Sequence, residues 1–88
     1  MLMKKVAVII SGCGYLDGAE ITESILTLLE LDRNKAQFKI FAPDKQQYHV
    51  MNHLKGTESN EVRNILVEAS RIARGKIQPL NIGRRGCK

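Results

Sequence analysis

Hydrophobic and polar residues follow two kinds of pattern along the chain, and each predicts a different element. Residues 5–11 (KVAVIIS) form a continuous β-branched run that ends in glycines. Such a run is typical of a strand covered on both faces of a parallel sheet. Residues 37–42 (QFKIFA) predict a second strand, closed by Pro43 and Asp44. A helical segment separates the two runs, so the chain is expected to begin with a βαβ unit.

The segment between the two strands predicts an amphipathic helix. Asp17, followed three positions later by Glu20, resembles a capping box, so the helix is expected to begin there. Apolar residues then recur at helical spacing as far as Arg33. Those residues are Ile21, Ile25, Leu26, Leu28, Leu29 and Leu31. Asn34 and Lys35 suit the C-terminal end of this helix.

The second half of the chain predicts a loop, a helix and a short strand. Residues 44–59 are polar and lack sustained periodicity, which favours a long loop with at most one helical turn. A strong amphipathic stripe follows and stops at Gly75, where glycine ends many helices. The stripe consists of Val62, Ile65, Leu66, Ala69, Ile72 and Ala73. Residues 77–80 predict an edge strand interrupted by Pro79.

These elements predict an α/β fold with a parallel sheet that is incomplete. The chain has 88 residues and is 43% hydrophobic, as expected of one small globular unit. Two amphipathic helices and two buried strands present more apolar surface than they can cover for one another, and parallel sheets are usually covered on both faces. We therefore expect missing polypeptide or a partner to complete the core, and the isolated chain to self-associate.

The distribution of charge argues against a nucleic-acid partner. The net charge is +5, but residues 1–68 carry eight basic and nine acidic residues, whereas residues 69–88 carry six basic and no acidic ones. A nucleic-acid footprint favours a basic stripe with stacking aromatic residues, and this tail has no aromatic residue. The sequence also lacks an apolar run long enough for a membrane span or a signal peptide. No membrane partner and a cytoplasmic location are expected.

A glycine-rich turn between the first strand and the first helix is a candidate binding site. Gly12, Cys13 and Gly14 place backbone N–H groups near a helix N-terminus, where an anion can bind. With Gly18 they form a pattern one residue longer than the dinucleotide fingerprint, which an ordinary turn explains equally well. A helix N-terminus can activate the Cys13 thiol, although an ordinary loop thiol is the simpler interpretation.

Two further pairs of side chains have the spacing of functional groups. Glu20 and Glu23 are neighbours at the start of the first helix, where they can serve a general base or simply complement the helix dipole. On an ideal helix Glu23 points roughly 170° away from the apolar stripe. His49 and His53 are spaced for one helical face, but zinc needs three or four ligands. No metal site is predicted.

Read together, the segments resemble ElbB-type glyoxalase-like proteins, also called isoprenoid-biosynthesis or enhancing-lycopene-biosynthesis proteins. These belong to the ThiJ/PfpI class I glutamine amidotransferase-like superfamily. The resemblance covers residues 3–80 through the motifs SGCG, DGAEI, FAPDK, NHL and RNILVEA. It implies that residues 1–80 are the N-terminal part of a flavodoxin-like three-layer sandwich, and that residues 81–88 are a divergent basic tail, as in a frameshifted or truncated product.

The resemblance also implies a chemistry and an incomplete site. Family members convert small dicarbonyls such as glyoxal to hydroxy acids without a cofactor, using a nucleophilic cysteine and a glutamate. The glutamate corresponds to Glu23, with Glu20 nearby, but the cysteine falls beyond residue 88 and matches neither Cys13 nor Cys87. The chain is therefore expected to be inactive alone. A small basic nucleic-acid binder and a partner-binding fragment are the alternatives.

Overall fold

The computed structural model describes residues 5–80, so Cys87 and the predicted divergent tail lie outside the described residues. Five strands and two helices follow one another within this range, and their order begins with the predicted βαβ unit. They are β1 (Lys5–Ile9), α1 (Ile21–Arg33), β2 (Gln37–Ala42), β3 (Met51–Asn52), β4 (Thr57–Glu58), α2 (Ile65–Ala73) and β5 (Gln78–Pro79).

Three of the strands form a parallel sheet in the order β1-β2-β5. Strands β1 and β2 pair from Lys5 opposite Gln37 to Ile9 opposite Phe41. Strand β5 pairs with the end of β2, where Phe41 lies opposite Gln78. The predicted parallel α/β fold and the short edge strand at residues 77–80 are therefore confirmed.

Both helices pack on the same face of this sheet, and the core lies between the helices and β2. Side chains of β2 alternate across the sheet, so only every second residue faces the helices. The core also contains the residue that follows β1 and one stripe of α2. Its buried members are Ile10, Ile40, Ala42, Ala69, Ile72 and Ala73. Leu28 supplies the contact of α1 with this cluster.

The expectation that β1 is covered on both faces is wrong for the described residues. Val6 and Val8 are partly buried on the helix side, whereas Lys5, Ala7 and Ile9 are exposed on the other side. Ile9 is 60% exposed. The reason is that both helices lie on one face and that, within residues 5–80, β1 has a neighbouring strand on one side only.

The helix ends are set by capping groups that differ in part from those predicted. The N-cap of α1 is Glu20, not Asp17, because the Glu20 carboxylate accepts a hydrogen bond from the Glu23 N–H at 2.8 Å. The predicted end at Arg33 is confirmed, and Asn34 forms the C-cap. Helix α2 begins after Asn64, whose side chain accepts from the N–H of Val67.

The predicted long loop at residues 44–59 contains a β-hairpin instead of a helical turn. Strands β3 and β4 pair antiparallel, with Met51 opposite Glu58. The Asn52 side chain accepts hydrogen bonds from the N–H groups of Leu54 and Lys55, and Gly56 completes the turn with φ 71°. Strands of two residues are too short to show the alternation that predicts longer strands.

Candidate functional site

The candidate residues gather at the carboxyl edge of the parallel sheet. The glycine turn follows β1, and the segment leading to the hairpin follows β2. The Gln47 side chain lies close to the glycine turn, because its Oε1 lies 3.3 Å from the point where a Cβ would stand on Gly12. In open α/β sheets, ligands bind in the crevice outside the carboxyl ends of the strands. The sequence-predicted turn and the start of α1 therefore lie where this fold binds ligands.

The two glutamates at the start of α1 have different environments. Glu20 uses its carboxylate to cap the helix through the Glu23 N–H, as N-cap acceptors do. The Glu23 side chain is exposed. Glu23 therefore has the more accessible carboxylate of the two, and it lies in the first turn of α1, where a negative charge is favourable.

The N–H groups of the glycine turn are partly consumed by the turn itself. Gly14 donates to the carbonyl of Ala19 at 2.9 Å, and Gly18 donates to that of Gly14 at 2.8 Å. Ala19 in turn donates to the carbonyl of Ser11 at 2.6 Å. The predicted anion cradle therefore lacks the Gly14 N–H, which weakens the nucleotide-binding interpretation of this turn.

Two of the glycines are required by close approach. A Cβ on Gly18 would lie 2.5 Å from the Ser11 carbonyl oxygen and 2.7 Å from the Cys13 nitrogen. Gly14 has φ 145°, and a Cβ there would lie 2.6 Å from both Asp17 Oδ1 and His53 Nε2. Positions without room for a side chain are those that glycine alone fills without strain. The turn is consequently folded tightly on itself and on the hairpin.

A nearly buried carboxylate fastens the glycine turn to the hairpin. The Asp17 side chain is 7% exposed, and its Oδ2 accepts a hydrogen bond from the Met51 N–H at 2.7 Å. Its Oδ1 lies 3.5 Å from His53 Nε2. The Tyr15 ring packs edge-on against the His53 ring, with 5.4 Å between centroids. We call the group of Asp17, Met51 and His53 the hairpin clamp.

The His53 ring has two sets of partners that suit different protonation states. In the neutral ring with the proton on Nδ1, that proton is donated to the Met51 carbonyl at 3.2 Å, and Nε2 accepts from the Leu16 N–H at 3.4 Å. A protonated ring would instead offer a proton from Nε2 to Asp17. The His53 ring nitrogens therefore lie within reach of Leu16, Asp17 and the Met51 carbonyl.

Cys13 has the environment of an unreactive thiol. It packs partly buried against the core cluster. Burial raises the pKa of the Cys13 thiol above its ordinary value, Arg71 partly opposes this change, and the carboxylates of Glu68 and Asp17 add to it. This environment favours the interpretation of Cys13 as an ordinary loop thiol, because a desolvated thiolate is unfavourable.

The predicted histidine pair lies on the hairpin and the segment before it, not on one helical face. His49 pairs with Glu58 at 3.3 Å, whereas His53 belongs to the hairpin clamp. Within residues 5–80, no group of three or more metal-ligating side chains comes together. No helix in this range is long and apolar enough to cross a membrane.

The hairpin clamp is the part of the site that sequence reasoning missed. Asp17 matched the pattern of a helix cap, and its actual partners lie 34 and more residues away. One signal was present: a polar segment with Gly56 four residues after Asn52 is typical of a hairpin with a glycine-containing turn. Local pattern alone did not indicate that the hairpin would fold over the glycine turn.

The fold and the site define a class of protein. A parallel sheet with helices between its strands, and a glycine turn with a glutamate-bearing helix at its carboxyl edge, match part of a flavodoxin-like domain of the amidotransferase-like type. In agreement, a solved structure of an isoprenoid biosynthesis protein with an amidotransferase-like domain from Ehrlichia chaffeensis is 51% identical and superposes with a TM-score of 0.86. That match covers 91% of this chain and 38% of that chain.

Curated relatives give the same assignment. A human protein named glutamine amidotransferase-like class 1 domain-containing protein 3, mitochondrial, is 52% identical over 77 residues, which are 86% of this chain and 29% of the relative. The zebrafish (Danio rerio) ES1 protein, mitochondrial, is 46% identical over 72 residues, which are 81% of this chain and 27% of the relative. The homologues of this chain are thus class 1 glutamine amidotransferase-like domain proteins. No family model matches the chain.

Two consequences follow from these comparisons. The chain spans less than a third of the length of the curated relatives that it matches. The expected cytoplasmic location is wrong, because the human, rat and zebrafish relatives are all named mitochondrial proteins. That expectation came from the lack of an apolar signal segment, and mitochondrial transit peptides are amphipathic and rich in arginine instead.

Proposed function

We propose that this chain carries one half of an ElbB-type, glyoxalase-like active site. In the complete site, a cysteine supplied by polypeptide outside this chain adds to a carbonyl of a small dicarbonyl such as glyoxal. The Glu23 carboxylate moves the proton between the two carbons, and hydrolysis of the resulting thioester releases a hydroxy acid and regenerates the thiol. No cofactor takes part in this scheme, and the chain by itself is inactive.

The observation that supports this role is the position of Glu23. Its exposed carboxylate lies in the first turn of α1, at the carboxyl edge where the glycine turn also lies, whereas Glu20 is occupied as the helix cap. An accessible carboxylate at this edge suits a general base that acts on a bound substrate. We propose that the glycine turn at Gly12 and Cys13 contacts the substrate beside Glu23.

The first test is activity of the isolated chain. Purified chain should convert glyoxal or methylglyoxal no faster than buffer does, because the nucleophile is missing and the raised pKa of Cys13 disfavours its thiolate. Turnover that disappears in Cys13→Ser would overturn the proposal, since the glycine-turn thiol would then be the nucleophile.

The second test places Glu23 in a complete domain. A chimera in which this chain replaces the matched segment of the human relative should convert dicarbonyls, and Glu23→Gln should lower kcat by about 100-fold or more, the scale of a positioned general base. Asp32→Asn removes another exposed carboxylate from the same helix and is the matched control. Equal rates for the two variants would show that Glu23 is an ordinary surface charge and not the general base.

Partners and location complete the proposal. We propose a mitochondrial location on the basis of the relatives' names, and a chain that self-associates when it is alone. The alternative of a nucleic-acid binder predicts a salt-dependent gel shift. The nearly neutral residues 1–68 favour the absence of such a shift.

A further inference from the structure

The Asp17 carboxylate is a nearly buried group that the proposed chemistry does not use. Its side chain is 7% exposed, its Oδ2 accepts a hydrogen bond from the Met51 N–H at 2.7 Å, and its Oδ1 lies beside the His53 ring. A carboxylate is costly to bury unless hydrogen bonds compensate the lost hydration. The segment that connects Asp17 to α1 shows what such a group does at the carboxyl edge.

The segment between Asp17 and α1 is packed tightly against the end of β1. Gly18 lies so close to Ser11 that a Cβ on Gly18 would stand 2.5 Å from the Ser11 carbonyl oxygen. Ala19 donates a hydrogen bond to that same oxygen at 2.6 Å. A displacement of Asp17 is therefore passed on to Glu20, because the two residues between them have no room to absorb it.

The first turn of α1 connects Glu20 to Glu23. The Glu20 carboxylate accepts from the Glu23 N–H at 2.8 Å, and the Glu20 carbonyl accepts from the Ser24 N–H at 3.0 Å. These bonds fix the backbone of Glu23 relative to the N-cap, and the direction of the Cα–Cβ bond follows from the helical backbone. The place of the Glu23 side chain thus depends on Glu20, and through the preceding segment on Asp17.

Two attachments hold the start of α1, and they come from segments that follow different strands. Ala19 bonds to Ser11, which follows β1, whereas Asp17 bonds to Met51, which lies in the hairpin after β2. A single hydrogen bond fixes a distance but leaves an orientation open. The bond from Asp17 to the hairpin therefore restricts rotation of the helix start about its attachment to β1.

We infer that Asp17 is a positioning residue: the hairpin holds its carboxylate, and this attachment fixes where the Glu23 side chain stands at the carboxyl edge. The inference rests on the proposed function, because it concerns the placement of the proposed general base. The hairpin thereby contributes to catalysis without touching the substrate. A misplacement of about 1 Å can lower a rate by about 100-fold, so a small rotation of the first turn of α1 is sufficient.

The test uses the chimera in which this chain replaces the matched segment of the human relative, so that the domain is complete. Asp17→Ala should lower kcat for glyoxal by about 10- to 100-fold and change KM little, because the base is misplaced while the substrate still binds. Asp17→Asn should restore most of the rate, since its amide oxygen can accept from the Met51 N–H and its amide nitrogen can donate to His53.

Asn52→Ala is the matched control for a purely structural effect. It removes the acceptor of the Leu54 and Lys55 N–H groups, so it loosens the hairpin turn without removing the Asp17 carboxylate. Both alanine variants should lower the Tm of the chimera, but Asn52→Ala should keep kcat when assayed below its Tm. Equal losses of kcat in the two variants, or no recovery in Asp17→Asn, would overturn the inference.

Asp17→Glu is the second variant if Asp17→Ala does not fold. It keeps the charge but lengthens the link to Met51 by one methylene, so its kcat should be clearly below that of Asp17→Asn. Equal rates for these two variants would show that the length of the link does not matter, and would overturn the inference.

Hydrogen exchange separates this inference from the proposed function. In Asp17→Ala the amides of Met51 and Glu23 should exchange faster, whereas the Asn34 amide at the far end of α1 should be unchanged. If the parent chimera converts no dicarbonyl, the proposed function fails, and faster exchange at Glu23 still supports the hold of Asp17 on α1. Faster exchange at Met51 alone would overturn the inference, because the first turn of α1 would then not depend on the hairpin.

Discussion

The two helices have similar amphipathic sequences but different degrees of burial. Helix α2 buries four of its nine residues, including Ala69 and Ile72, between the sheet and α1. Helix α1 has thirteen residues and none of them is fully buried. Leu29 is 52% exposed, whereas Ile72 is 6% exposed. An apolar stripe thus shows which face of a helix is able to pack, while burial depends on whether the chain provides a surface opposite that face.

The paired strands β1 and β2 show the same difference in burial. Strand β2 is paired on both sides and reaches full burial at Ile40 and Ala42. Strand β1 has the more continuous apolar sequence, yet its exposed residues include Ile9. The side of β2 and α2 therefore forms the core of this chain, whereas the side of β1 and α1 leaves apolar side chains such as Ile9 and Leu29 exposed within the described residues.

The largest expected effect of the exposed β1 and α1 side is that the isolated chain does not form a stable monomer. Conformational entropy costs on the order of 1 to 2 kcal/mol per residue, so a half-covered sheet leaves little surplus stability. We expect the isolated chain to be aggregated, oligomeric or molten, to bind a hydrophobic dye and to lack a cooperative thermal transition. A monodisperse monomer by light scattering with a sharp thermal transition would show that burial on the β2 and α2 side is sufficient to fold the isolated chain.

The next largest effect is the difference in stability between truncations in the two helices. Ile72→Ala should cost about 2 to 5 kcal/mol because it opens a cavity in the core. Leu29→Ala should change stability by about 0.5 kcal/mol or less, as exposed substitutions do. Both are measured by urea unfolding in enough sucrose to give the parent chain a cooperative transition, because this osmolyte strengthens burial. Similar losses for the two variants would mean that α1 is covered in solution, for example by self-association.

A smaller effect concerns the hairpin clamp. Asp17→Ala removes the acceptor of the Met51 N–H and should cost about 1 to 3 kcal/mol under the same conditions. The Met51 amide should also exchange faster with solvent. Asp32→Ala, an exposed carboxylate on α1, is the control and should be nearly neutral. If both variants behaved alike, the hairpin would not be held by this carboxylate.

The smallest effect is the pH dependence of an exposed ion pair near the start of α2. Hydrogen bonding and charge from Arg63 hold the pKa of Glu61 below its ordinary value. The pair therefore stabilises the fold above that ordinary value, and this contribution is lost as the pH falls through the lowered pKa. Glu61→Gln should be slightly less stable than the parent chain at pH 7, and this difference should shrink as the pH falls through the lowered pKa of Glu61, by the same urea measurement. A difference in stability that does not change with pH would point to packing instead of charge.

Much of the fold could be predicted because its signals are local. The bounds of β2, the end of α1 at Arg33 and the stop at Gly75 follow from periodicity and capping, which depend on residues within a few positions. The sequence predicts the start of α1 too early, because Asp17 has the residue type of a cap while Glu20 is the N-cap. The Asp17 carboxylate bonds instead to Met51, 34 residues away, and contacts of that separation leave no local pattern.

The sequence by itself determined which segments become strands and helices, which of their faces are apolar, and that the apolar surface exceeds what the chain can cover. Tertiary structure decided that both helices share one face of the sheet, that β1 stands at an edge, and that the hairpin closes over the glycine turn. The physical reason is that hydrophobic periodicity specifies which face of a segment must be buried. Pairing between distant segments decides whether that face is actually covered.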